Sequence, residues 1–416
     1  MKKVIVVGGG AAGMMAALFA ARGGAQALLL ERNEKLGKKM YITGKGRCNV
    51  TNAVEMEQFQ RNIFRNPRFM YAAFAQLDNR GVMEMVEGLG VPLKVERGNR
   101  VFPQSDKSSD IIVALKRGLE RAGVEVRLNA RVGGLDISDG VCRGVRLESG
   151  ETLPADAVIL ATGGLSYPST GSTGDGHRMA EASGHGLSKP LPALAPIETA
   201  ESWPGMLSGL SLKNVRLSAF VKGPKKEKKL YSEMGEMLFT HFGISGPLAL
   251  TLSSLLPEDL SGVRLELDLK PALDAQTLDA RLLRDFKEMS RKQLGTVADG
   301  LAPHSLAEQL LKLAGLSPSM PVNSVTAQQR AALLNTLKAV PLHPRALRGF
   351  DEAIVTRGGV SVKDINPSTM QSKRVQGLYF AGELIDVDAA TGGFNLQIAF
   401  STGALAGASA AKETEV

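Results

Sequence analysis

Three groups of residues in this chain have types and spacings that can do chemistry. The first is Gly8-Gly9-Gly10-Ala11-Ala12-Gly13, fed by an apolar run at 4–7 and followed, after a second apolar run at 27–30, by the carboxylate of Glu31. A Gly-x-Gly-x-x-Gly loop between a buried strand and a helix is a pyrophosphate clamp. Gly8 allows the tight turn, Gly10 lets backbone approach a phosphate, and Gly13 lets the helix pack closely on the sheet. The helix N-terminus adds free N–H groups and a positive dipole end. Glu31 stands where a ribose hydroxyl needs an acceptor, and an acid there favours a ribose without a 2′-phosphate.

The second group is Lys45, Arg47 and Cys48, set in a loop that Gly44 and Gly46 make flexible enough to fold over a ligand. Lys45 and Arg47 are read as cofactor-binding cations, with Arg47 also a catalytic candidate. A thiol beside two cations has a lowered pKa and can donate a proton, while the alternative for Cys48 is a small buried hydrophobe. The third group is His241, after Thr240 and ahead of Gly243-Ile244-Ser245-Gly246-Pro247. Imidazole titrates near neutrality and can deliver a proton, and its alternative is a hydrogen-bonded structural histidine.

The elements that must position these groups follow from pattern. The order strand, glycine loop, helix, strand excludes a secretory signal peptide, because three glycines interrupt what would be its apolar core. Periodicity predicts a helix over 66–88, a hairpin over 91–102, a helix over 108–122 and a strand over 124–128. Alternating runs at 131–138, 141–148 and 151–153, with turns at Asp139-Gly140 and Ser149-Gly150, predict a β-meander. The apolar strand 157–160 then ends in Ala161-Thr162-Gly163-Gly164. Composition changes at Lys189-Pro190, which opens an insert of about one further domain. Its strands are predicted at 215–221, 229–237 and 263–269 and its helices at 278–294, 305–313 and 326–337. Sheet resumes over 352–362, a strand at 376–380 ends in Gly382-Glu383, and Gly392-Gly393-Phe394-Asn395-Leu396-Gln397 opens a last helix.

The expected architecture is therefore α/β. A discontinuous Rossmann-like domain with a meander (1–190 and 351–416) carries an inserted domain, 191–350, that is mainly β and barrel-like over 191–270 and mainly helical over 271–345. At 416 residues, with 44% hydrophobic and 22% charged residues, the chain has ordinary globular composition. No apolar stretch reaches the length of a membrane span, so a cytoplasmic protein is expected. Two cysteines and five histidines without metal-ligand spacing exclude a disulfide framework and make metal catalysis unexpected. The net charge of +8 draws polyanions but is diluted over the chain.

Three separated glycine elements suit FAD better than a nicotinamide bound alone. Between them runs Gly37-Lys38-Lys39-Met40-Tyr41-Ile42-Thr43-Gly44-Lys45-Gly46-Arg47-Cys48-Asn49-Val50-Thr51-Asn52. With Phe239-Thr240-His241-Phe242-Gly243-Ile244-Ser245-Gly246-Pro247 and Gly392-Gly393-Phe394-Asn395-Leu396-Gln397, that string closely resembles the BaiN/RdsA (YhiN-like) family of FAD-dependent oxidoreductases. The likeness spans essentially the whole chain. It implies a bacterial enzyme that takes electrons from NADH or NADPH and saturates a carbon–carbon double bond conjugated to a carbonyl. One branch is associated with uridine in 23S ribosomal RNA, the other with unsaturated 3-oxo bile acids.

In that framework the cofactor residues are Gly8, Gly10, Ala12, Gly13, Glu31, Arg32, Lys38, Gly44, Lys45, Gly46, Arg47, Asn49, Val132, Ala161, Thr162, Gly163, Gly164, Gly382, Glu383, Gly393, Asn395, Leu396 and Gln397. Glu383 is expected at a ribityl hydroxyl, and Asn395 and Gln397 at the flavin pyrimidine edge. Tyr167 and Asp175 are expected to organise their own loop, and the inserted module to roof the reactive ring. The leading expectation is uridine reduction in 23S rRNA, with Lys225, Lys226, Lys228 and Lys229 on one hairpin tip holding RNA phosphates, or serving only as a solvated turn. A small unsaturated ketone or acid is the alternative substrate. A flavin-bearing RNA-binding protein without redox turnover is the alternative from another class.

Overall fold

The computed structural model describes residues 1–223 and 225–412. The chain forms two compact units, Met1–Ala193 together with the segment from Gly349 onward, and Leu194–Arg348.

The first unit is built on a five-stranded parallel sheet ordered Leu378–Phe380, Ala157–Leu160, Lys3–Val7 (β1), Gln26–Leu30 (β2) and Glu125–Arg127. A parallel sheet covered on both faces needs continuously apolar strands, and Val4, Ile5 and Val6 are accordingly without solvent exposure. Helix α1, Ala11–Arg22, connects β1 to β2. The C-terminal helix, Phe394–Ala411, lies against it so closely that a Cβ on Gly407 would stand 2.1 Å from Ala16 O. Alanine and glycine on the facing surfaces make that approach possible. The meander appears as Val132–Ser138, Val141–Leu147 and Thr152–Pro154, all antiparallel.

The chain leaves this unit three residues later than its composition suggests. The strand Leu187–Ala193 pairs antiparallel with Val355–Val360, so both crossing segments stay in one small sheet of the first unit. Two expected helices are also divided. Over 66–88, Leu77 is extended (φ −155°, ψ 98°) and Asp78 accepts the Gly81 N–H at 2.7 Å, which starts a new helix at Asn79–Gly88. Over 278–294, Ala275–Glu288 ends and Leu294–Asp299 begins, because Gln293 bridges to Pro321 and the Leu294 N–H bonds Met320 O at 2.8 Å.

The second unit has its own apolar core and a seven-stranded antiparallel sheet. The order is Val340–Leu342, Val263–Asp268, Ser211–Val221, Lys228–Thr240, Gly243–Ser245, Ile197–Thr199 and Pro344–Leu347. Only His343 separates the two edge strands in sequence, so the sheet curls until its edges meet without a closing ladder. Helices Gly246–Ser253, Ala275–Glu288, Leu294–Asp299, His304–Leu313 and Ala327–Lys338 belong to the same unit. Among the described residues no helix is long and apolar enough to cross a membrane.

Candidate cofactor and active site

In the first unit, the carboxyl ends of β1, β2, Ala157–Leu160 and Leu378–Phe380 bring the sequence-predicted glycine elements to one edge of the sheet. Gly8 leaves β1 at φ 106°, and a Cβ on Gly13 would sit 1.7 Å from Gly8 O, so only glycine lets the helix start there. Gly10, the N-cap of α1, offers no side-chain cap, and apart from Gly10 and its two chain neighbours no atom lies within 4 Å of where its Cβ would be. The first-turn N–H groups of α1 thus face an open side, as a phosphate requires. Glu31 is buried at the end of β2. Its Oε2 accepts the Gly9 N–H at 2.6 Å, and its Oε1 accepts from the backbone and side-chain nitrogens of Asn33 at 2.8 and 2.7 Å. The acid therefore shapes the glycine loop itself. The Ala12 methyl lies 2.7 Å from the Cβ position of Gly382, which joins the first and third glycine elements.

The second lip starts where the Ala161 N–H bonds Val7 O at 2.9 Å. Thr162 Oγ1 is buried without a partner, and Thr356 Oγ1 accepts the Leu165 and Ser166 N–H groups at 2.8 and 3.0 Å. Glu383 accepts the Thr356 N–H at 2.9 Å and pairs with Lys39 at 2.7 Å. Arg32 donates to Thr173 at 2.6 Å and pairs with Asp175 at 2.9 Å, which ties the end of β2 to the segment after Gly164. Burial alone would push the Asp175 carboxyl up, but Arg131, Arg32 and Thr173 together hold it below the usual range. Val132 is buried at the start of the meander, and the Ala130 N–H bonds Glu31 O at 2.9 Å.

The loop over 40–48 differs from its expected chemistry. Lys45 is exposed in a left-handed conformation (φ 59°), and Lys38 bonds Asn33 and Glu34 at 3.4 and 3.3 Å. Arg47 is committed to Glu96 and Asp106 and stacks over the Phe102 ring at 4.1 Å. Cys48 is fully buried, and burial pushes its thiol up to about 12. The expected low-pKa proton donor is therefore corrected. Desolvation outweighs any cation nearby, and the thiol stays neutral.

Asn49 bridges the loop to the C-terminal turn. Its amide donates to Thr51 O and Val101 O at 3.1 Å and its oxygen accepts the Gly393 N–H at 3.0 Å. Gly393, at φ 99°, caps the C-terminal helix without a side-chain bond, so that helix also starts with free N–H groups. Asn395 clamps Ala389 through its N–H and O, both at 3.0 Å. Gln397 needs correcting. It is wholly buried, its Oε1 accepts from Thr51 at 2.6 Å, and its Nε2 donates to Leu77 O at 3.1 Å and Ser401 at 2.9 Å. Every polar atom is used inside the protein, so it anchors the helix and cannot read a ligand edge.

His241 belongs to the second unit, exposed just past the strand Lys228–Thr240 and edge-on to Phe242 at 4.8 Å. Lys225, Lys226, Lys228 and Lys229 are all exposed on the hairpin of that unit. Sequence reasoning missed Lys39, Thr51, Thr356 and Thr402, the last accepting the Gly382 N–H at 2.9 Å. Only Lys39 had a local signal, as the cation beside Lys38; Thr51 reaches Gln397 across 346 residues and Thr356 reaches Leu165 across 191, while Thr402 lies 20 residues from Gly382. The open first turns of two helices, the uncrowded Gly10 and the orphaned Thr162 hydroxyl fit a dinucleotide flavin on this edge.

The model of the HI0933-like protein Rossmann domain matches residues 2–409. The chain is 32% identical over 395 residues to the 3-dehydro-bile acid delta(4,6)-reductase of Clostridium scindens, covering 94% of each. It is 30% identical over 387 residues to the ribosomal RNA dihydrouridine synthase of Escherichia coli, covering 92% of this chain and 91% of that one. Among solved structures, a 3-ketosteroid delta1-dehydrogenase from Sterolibacterium denitrificans superposes with a TM-score of 0.53 at 15% identity, covering 99% of this chain and all of that one. A likeness at that identity concerns the fold alone. The chain belongs to the HI0933-like, or BaiN/RdsA, family of flavin oxidoreductases.

Proposed function

We propose that this protein uses NADH or NADPH, through FAD, to reduce a carbon–carbon double bond conjugated to a carbonyl, with uridine in ribosomal RNA as substrate. The observation that carries the RNA reading is the hairpin in which Lys222, Lys225, Lys226, Lys228 and Lys229 are all exposed within eight positions. Such a cluster suits phosphate contacts that position a strand without reading its sequence. The near-equal identity to the Clostridium scindens reductase favours a second reading, a small unsaturated ketone.

Bound FAD would supply hydride to the β-carbon of the enone-like system. This chain's residues supply the rest. The first turn of α1 holds the pyrophosphate, and Glu31 presents an acceptor beside it. The uncapped N-terminus of the C-terminal helix would stabilise negative charge developing on a bound flavin. Lys39 and Glu383, paired at 2.7 Å, would offer a hydroxyl partner to the ribityl chain while neutralising one another. Arg47, committed to two carboxylates, serves by holding its loop. With no separate nicotinamide-binding domain legible, reductant and substrate take turns at one flavin face.

The purified protein is expected to be yellow and to bleach with NADH or NADPH. Incubated with 23S rRNA from an Escherichia coli strain lacking its ribosomal RNA dihydrouridine synthase, it should form dihydrouridine, read by mass spectrometry. Turnover of an unsaturated 3-oxo steroid with untouched RNA would move the assignment to the second reading. Tight RNA binding without bleaching would remove both. Changing Lys225, Lys226, Lys228 and Lys229 to Ala should weaken RNA binding and flatten its salt dependence while leaving bleaching unchanged.

A further inference from the structure

The Gly392-Gly393 turn of the proposed flavin edge is held by two segments of the first unit. One is the stretch 62–66, which runs antiparallel to 386–390. Ile63 bridges to Ala389, the Phe64 N–H bonds Asp388 O and the Ala390 N–H bonds Asn62 O, both at 2.9 Å. Asn66, left-handed at φ 53°, donates its amide to Asp386 O at 2.7 Å, and Arg65 pairs with Asp388 at 2.7 Å. The other is the hairpin of Leu93–Glu96 and Arg100–Pro103. Asn52 Nδ2 ties its tip to the turn, donating to Gly98 O and to Gly392 O, each at 3.0 Å.

Both segments also present groups to solvent that take no part in this holding. Arg68, after Pro67 in the turn Pro67–Met70, is exposed, and among the described residues its guanidinium has no partner; the same holds for Arg97 at the hairpin tip. Tyr71, which opens the helix Tyr71–Gln76, is 55% exposed with its hydroxyl unbonded. The exposed acids Glu55 and Glu57 are paired with Arg80 and Arg61, so they leave Arg68 uncompensated. Single exposed side chains of these types are ordinary. These stand on ordered backbone: Pro67 fixes its own φ, the Ala53 N–H bonds Asn99 O at 2.7 Å, and Phe59 packs edge-on against both Phe74 of the Tyr71 helix and Phe394 of the C-terminal helix, at 5.4 and 4.6 Å. Binding there need order side chains only.

Resting on the reading of RNA as substrate, we propose that this face of the first unit holds the single strand next to the reduced uridine, with Tyr71 as the platform for an adjoining base and Arg68 and Arg97 as phosphate contacts. An enzyme that acts on a base takes it out of its stack, which leaves the neighbouring base without a partner. An exposed ring accompanied by guanidinium groups supplies both the stacking surface and the charge that a splayed strand needs. The contact is separate from the lysine hairpin of the second unit. Stacking of this kind tolerates any base, so the face grips the strand and does not choose the uridine.

The test uses the flavin-loaded protein and the same dihydrouridine-deficient 23S rRNA. Tyr71→Ala should raise KM for the RNA about 10-fold at unchanged kcat, and Tyr71→Phe should match the native protein, because the ring and not the hydroxyl stacks. Arg68→Ala combined with Arg97→Ala should lower the slope of log Kd against log salt by about 1.4, the value for two single-strand phosphate contacts. The corresponding pair of lysine substitutions should keep the slope. All these side chains are exposed, so thermal melts should coincide, and bleaching by NADPH, which needs no RNA, serves as the control for intact flavin. A native KM and salt slope in the alanine variants, where the native protein does form dihydrouridine, overturn the proposal and leave the reading of function standing. A KM that rises equally for a small conjugated enone also overturns it, because the residues then shape the cofactor site and hold no RNA. A native protein that bleaches but forms no dihydrouridine overturns the reading of function first and this proposal with it.

Discussion

At the N-terminal glycine loop both carboxylate oxygens of Glu31 are committed, one to Gly9 and the other to Asn33, whereas near the C-terminal turn Asp386 and Asp388 each keep a buried oxygen with no partner. Both regions follow a strand of one sheet and both lead into a helix with an uncapped first turn. The first is finished by its own protein contacts, so its loop is already ordered. The second retains unsatisfied acids, which native structures tolerate where a protonation state has work to do. One region has its acid fully satisfied by protein contacts; the other holds two buried acids, each with an oxygen left over.

The strongest blow to that contrast is Gly13→Ala. A methyl 1.7 Å from Gly8 O forces the helix off its strand, and stability is expected to fall by about 3 kcal/mol with flavin content near zero. Denaturant melts and the absorbance of purified protein measure both. Glu31→Ala comes next, removing the acceptor for Gly9 and Asn33, with an expected loss of about 2 kcal/mol and weaker FAD binding by titration.

Asp388→Asn sharpens the other side through pH. The folded protein holds the Asp388 proton more tightly than the unfolded chain does. Its contribution to stability is full below the unfolded Asp value, about 3.9, and is lost as pH rises through the higher folded value. Melting temperature against pH should therefore fall more steeply over that window in the native protein than in the variant. Parallel curves would place Asp388 among ordinary ion-paired carboxylates. Cys48→Ala should have the smallest effect, about 1 kcal/mol, with turnover retained, since a buried neutral thiol contributes only packing. A large loss of turnover there would return the thiol to the chemistry.

The N-terminal glycine turn was legible because its constraints are local. Gly8, Gly13 and Glu31 meet within one strand–helix–strand unit, where spacing alone determines which atoms approach. Cys48 and Gln397 were not legible, because their character depends on burial. Lys45 and Arg47 are neighbours of Cys48 in sequence, yet Arg47 turns to Glu96 and Asp106 while the thiol turns inward. Gln397 lies beside a glycine turn, but Thr51 and Leu77, far away in sequence, consume its amide.

By itself the sequence determined the parallel sheet, the glycine turns at its carboxyl edge and the interruption by a second unit, since apolar periodicity and backbone sterics act over a few residues. Only the tertiary structure decided which polar groups were satisfied. Partners drawn from residues 65, 188, 357 and 388 set each carboxyl's desolvation and charge, and those quantities have no counterpart in spacing along the chain.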